Sequence, residues 1–124
     1  MKSFNHFVEK YFIEILVIFL GSIFSSWLMF HTFSYSNGNI FIASKAWSDF
    51  ASHIPLIRSF SYGWNFPVEY PLFSGEPIHY HFLFYSFAGL LEKLGARIDY
   101  ALNIPSIIGF TALLFTLYLF ASSL

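Results

Sequence analysis

The stretch "KAWSDFASHIPLIRSFSYGWNFPVEYPLFSGEPIHYHFLFY", Lys45 to Tyr85, decides how the chain is read. It gathers Asp49, His53, Arg58, Glu69, Glu76, His79 and His81 between two strongly apolar regions. Of the 124 residues, 56% are hydrophobic, 18 are Phe and 10% are charged. Soluble domains carry about 25% charged residues, so this composition points to the bilayer as solvent. The net charge of −1 gives no basis for nucleic-acid binding. With no cysteine, disulfides, thiolate metal sites and cysteine nucleophiles are excluded.

Outward from that stretch, the apolar segments are long enough for about three spans. The first runs over about Tyr11–Phe33, with no charge from Ile15 to Phe30 and Trp27 placed for an interfacial belt. Its apolar run exceeds a signal-peptide h-region and no clear cleavage site follows, so it reads as an uncleaved span. "SYSNGN", Ser34 to Asn39, is a turn-forming cluster. Phe50, Ile54, Ile57 and Phe60 mark one apolar helical face within about Phe41–Tyr62, with Gly63 as a C-cap. Trp64–Pro77, rich in proline, is expected to be extended and held by aromatics rather than a hydrogen-bond ladder. A second span is expected over about Ile78–Leu94, a tight charged loop "EKLGARID" over Glu92–Asp99 with Gly95 as helix stop, and a third span over about Tyr100–Leu124. Pro105 reads as a helix start or a kink.

The expected fold is an all-α membrane protein with three transmembrane helices and a long external loop, residues 34–77. That loop carries a helix lying on the membrane surface, Asp49–Tyr62. Lys2 and Lys10 before the first span, and Lys93 and Arg97 after the second, place those flanks in the cytoplasm by the positive-inside rule. The expected location is the plasma membrane, with the N-terminus cytoplasmic and the first loop external.

Asp49 and His53, four residues apart, share one face of a helix. Such a pair suits a general base with its orienting partner, or two metal ligands. A surface helix with its few polar groups in water is the alternative. Glu69 and Glu76 read as second carboxylates or as loop solubilisers. His79 and His81 would share a face in a strand and diverge on a helix; Tyr80 and Tyr85 read as interfacial anchors. Trp47, Trp64, Phe66 and Phe73 suit stacking on a sugar ring or an isoprenoid, or burial of the loop against lipid. There is no phosphate-cradling Gly loop, serine-hydrolase elbow or zinc-protease motif.

"WSDFASHIPLIRSFSYGWNFPVEYPLFSGEPIHYHFLFY", with "AGLLEKLG" and "ALNIPSIIGF" after it, resembles the N-terminal part of GT-C type polytopic glycosyltransferases of the protein-mannosyltransferase and family-39 group. The resemblance covers about Trp47–Phe110. It implies sugar transfer from a polyprenyl-phosphate donor, a large first external loop, and an acidic catalytic base near the start of that loop, which is Asp49 here. It also implies a divalent metal in some members, for which Asp49 and His53 are the candidate ligands. Arg58 would neutralise the leaving phosphate, with Glu69, Glu76, His79 and His81 as further substrate-binding candidates. Members have about ten or more spans, so the chain is expected to be a fragment, or to work with a partner subunit, and to be inactive alone. The rival functions are a non-enzymatic membrane subunit that docks through the polar loop, and part of a transporter, which the nearly uncharged spans disfavour.

Overall fold

The computed structural model describes residues 11–124. Helix α1 (Phe12–Thr32) leads into a hairpin of β1 (Phe33–Ser36) and β2 (Asn39–Ile42). Next come α2 (Trp47–Ser61), a short hairpin of β3 (Glu69–Tyr70) and β4 (Phe73–Pro77), α3 (Leu83–Lys93) and α4 (Ile98–Ser122). The chain is mostly helical, but not all-α. Asn37 and Gly38 take φ of 51° and 82°, the left-handed pair that a tight antiparallel turn needs, so "SYSNGN" folds back on itself as two strands.

Among the described residues two helices, rather than three, are long and apolar enough to cross a bilayer. At 1.5 Å per residue, the 21-residue α1 and the 25-residue α4 reach about 31 and about 37 Å, against a hydrocarbon core of about 30 Å. The segment expected as a second span holds α3 alone, whose 11 residues cover about 16 Å. It stops at Gly95, whose φ of 103° supplies a left-handed cap. Gly95 N–H donates to Glu92 O and Ala96 N–H to Leu91 O, closing the turn. Gly63, by contrast, is not a left-handed cap: Tyr62 caps α2 in a right-handed conformation. A Cβ on Gly63 would lie 2.7 Å from Ser59 O. Helix α4 continues through Pro105.

Helices α1 and α4 pack antiparallel. Thr111 Oγ1 donates to Ser25 Oγ at 3.1 Å, Phe24 meets Phe110, and Phe30 meets Tyr100 edge-on. Buried Ser25 bonds back to Gly21 O, so the seam carries a satisfied hydroxyl pair inside an apolar contact. At the end where α1 finishes and α4 begins, Asn103 Nδ2 donates to Phe33 O at 2.7 Å. Asp99, 1% exposed, accepts from Tyr35 N–H at 3.1 Å and from Arg97 at 3.0 and 2.7 Å.

This contact corrects the expected topology. Placing Asn37–Pro77 and Glu92–Asp99 on opposite sides required a span between them. With only α3 there, both segments lie at one end of the α1–α4 pair, and the region from Phe33 to Arg97 is a single cap over that end. The side expected for Lys93 and Arg97 rested on that missing span; in the structure Arg97 pairs with Asp99, and Arg58 with Glu92. Asp99→Ala removes the acceptor for Tyr35 N–H and strands Arg97. The exposed guanidinium is rehydrated, so the loss should come from the unpaired Tyr35 N–H, about 1–3 kcal/mol, and denaturant unfolding in detergent would measure it.

The core of the cap comprises Phe33, Leu56, Ile57, Phe60, Tyr85, Ala88, Ile98 and Leu102. The apolar face of α2 predicted from Phe50, Ile54, Ile57 and Phe60 is real, and it is turned into the cap. It packs on α3 and on Phe33, whose ring stacks on Phe50 at 4.7 Å. Helix α2 begins at Trp47, not near Phe41, which belongs to β2.

Candidate functional site

Asp49 lies in the first turn of α2 and His53 one turn on, as their spacing predicts. Both side chains line two cavities. One, of about 310 Å³, is completed by Ser52, Leu56, Tyr70, Pro71, Ile78 and Tyr80. The other, of about 350 Å³, opens toward the helix pair and is lined by Thr32, Phe50, Phe84, Tyr85, Asn103 and Ser106 among others. Asp49 is exposed and His53 half-buried.

Around His53 the rings converge. Its imidazole lies 4.8 Å from the Tyr85 ring and 6.0 Å from Phe50, while His81 lies 6.0 Å from Tyr85 and 3.8 Å from Tyr80. The structure thus joins Asp49, His53 and His81 and adds Tyr85 and Tyr80, which the sequence suggested only as interfacial anchors. Tyr85 falls on the buried face of α3 with Ala88 and Gly89. That three- and four-residue spacing was the signal that it points inward.

Burial pulls the His53 pKa below 6.5; His81 reinforces this and Asp49 opposes it. His53 is therefore neutral at pH 7, with one ring nitrogen free to accept. Burial, with Tyr80 beside it, pushes the Tyr85 phenol up to about 12, so it remains a donor. Because the folded state disfavours the imidazolium, the stability contributed by neutral His53 is fully present above about pH 6.5. It is lost as pH falls through the lower folded midpoint. An NMR titration of His53 should show that low midpoint. It should fall further in Asp49→Asn and rise in His81→Gln.

The remaining candidates lie apart. Glu69 has a structural role: its Oε2 accepts from Gly75 N–H at 3.1 Å, and its backbone N–H and C=O both pair with the Asn65 amide. The segment expected to lack a ladder is thus held by the β3–β4 hairpin and by Asn65. Glu76 is exposed on β4, and His79 is exposed in the link to α3. Arg58 lines neither Asp49 cavity. It lines a third, of about 380 Å³, with Tyr35, Tyr62, Glu92 and Arg97. Its Nε is 3.0 Å from Glu92 Oε1, but Arg58 Nε and the buried Glu92 Oε2 both lack a hydrogen-bond partner. The contact is thus an ion pair with poor alignment. Asp49 and His53 could supply two metal ligands, and among the described residues no group of three or more His, Asp or Glu side chains is poised for a metal.

Fold and site together define a helical chain with two bilayer-length apolar helices, capped at one end by a layer that presents a carboxylate–imidazole pair. No protein-family model, no curated protein and no solved structure matches the chain.

Proposed function

We propose that the chain is the N-terminal portion of an integral-membrane glycosyltransferase of the GT-C type. It would move a sugar from a polyprenyl-phosphate donor to an acceptor hydroxyl on the external face. The observation that carries this reading is the position of Asp49: exposed, one helical turn from a neutral imidazole, and at the junction of two cavities beside the end of the helix pair. Asp49 takes the proton of the acceptor hydroxyl as its oxygen attacks the anomeric carbon. The sugar–phosphate bond breaks with its electron pair, and the polyprenyl phosphate leaves. His53 orients Asp49, or joins it in holding a divalent ion that would steady the phosphate charge. Tyr85, remaining protonated and hydrogen-bonded to Tyr80, lines the cavity on the side of the helix pair.

In this reading Arg58 is not at the reacting bond, since it lies in a different cavity from Asp49. The cap, Phe33–Arg97, faces outward and the ends of α1 and α4 remote from it face the cytoplasm, in the plasma membrane. The test is transfer of labelled sugar from a polyprenyl-phosphate donor in native membranes containing the protein. Transfer that persists when the protein is depleted rejects the proposal.

A further inference from the structure

Helix α3 has two apolar faces. Tyr85, Ala88 and Gly89 are buried on one, against α2. On the other, Leu83, Phe87, Leu90 and Leu94 follow one another four, three and four residues apart. At about 100° per residue these four fall within an arc of about 60°, and all four are exposed, Leu83 by 73% and Leu94 by 76%. The stripe continues onto the segment after α2. Trp64, 79% exposed, and Phe66 line a hollow of about 230 Å³ with Leu90 and Lys93, and Lys93 Nζ sits 5.7 Å over the Trp64 ring. An apolar patch of this kind with a polar rim marks an interaction surface.

We propose that this surface rests on the bilayer, with α3 lying in the interface as an in-plane helix. Position is the first argument. Only Leu94–Arg97 separates α3 from α4, and four extended residues reach at most about 14 Å. The end of α3 is therefore tethered close to the end of a bilayer-length helix. Chemistry is the second. Leucines and a phenylalanine on the face, tryptophan beside them and a lysine at the rim able to reach headgroups are the composition of an interfacial helix. The third is what α2 does: its own apolar face is covered by α3 and Phe33, so α3 lies between α2 and the lipid. The proposal needs only the membrane character of α1 and α4, not sugar transfer, so either can fail alone.

The chain lacks cysteine, so single cysteines at Phe87, Leu90 and Glu76 can carry nitroxides in the full chain, reconstituted in nanodiscs of zwitterionic and anionic phospholipid. All three side chains are exposed, so the labels leave the core packing intact. Labels at Phe87 and Leu90 should be relaxed more by oxygen than by a water-soluble nickel chelate, and Glu76 the reverse. Equal access of the chelate to Phe87, Leu90 and Glu76 overturns the proposal, because the stripe then faces water. Access of neither reagent to Phe87 and Leu90 overturns it too, because a second copy or another protein segment then covers the stripe. Independently, with Trp27 and Trp47 changed to Phe, Trp64 fluorescence should be quenched by lipid carrying a nitroxide near the headgroup. Absence of that quenching is a second refuting result.

Discussion

Asp49→Asn should reduce sugar transfer by about 10²–10⁴-fold, the typical loss when a positioned general base is removed. The amide preserves the shape of the side chain but cannot take the acceptor proton. Asp49 makes no side-chain hydrogen bond that the fold depends on: the bond at this position, Ser52 Oγ to Asp49, is accepted by the backbone carbonyl. Expression, membrane insertion and donor-lipid binding should therefore be unchanged. His53→Ala should reduce transfer less, unless a divalent ion is bound, in which case added ion should partly restore it. Parental rates in Asp49→Asn would make Asp49 a solvated loop carboxylate and end its catalytic assignment.

Gly89→Leu should have the largest effect on the cap. Gly89 is where α3 touches α2: even a Cβ there would lie 2.7 Å from Ile57 O, 2.7 Å from Phe60 Cβ and 3.3 Å from Ser61 N. Two of those atoms are backbone and cannot swing away, so the helices must separate. Overpacking of this kind costs about 1–3 kcal/mol and sometimes more. For leucine we expect about 3 kcal/mol or above, with the Tyr85 ring drawn away from His53. Gly89→Ala should fall lower, because alanine regains about 1 kcal/mol of helix propensity. Gly109 in α4 is the control, since a Cβ there meets nothing within 4 Å. Limited proteolysis of the cap and unfolding in detergent would read all three variants. A Gly89→Leu protein as resistant as the parent would mean that the α2–α3 crossing is not as close as the structure has it.

The long apolar helices were legible because an uncharged run of bilayer length has one stable solution. The Asp49–His53 pair was legible because α2 keeps a clean helical period. The 78–94 segment misled because its apolar content was counted without its faces. Tyr85, Ala88 and Gly89 serve a protein contact, Leu83, Phe87 and Leu90 are left exposed, and the helix is half the length a span needs. Without that span, the alternation of three spans no longer assigns Lys93 and Arg97 to the side of the N-terminus. The Arg97–Asp99 pair could have been guessed from its local spacing, but Tyr35 N–H as a further partner of Asp99 could not, being remote in sequence. Tyr85 joined the site for the same reason: only the α2–α3 packing brings it to His53.

The bond from Asn103 to Phe33 O sets an order of events during synthesis. Phe33 is at the centre of the cap core and leaves the ribosome early, while Leu102 and Asn103, which close over it, emerge after the whole of Phe33–Arg97. The cap cannot finish until α4 has been threaded alongside α1. Until then the rings that later surround Phe33 are uncovered. The intervening segment therefore waits as an unfinished chain, its apolar rings open to other contacts, until α4 is made.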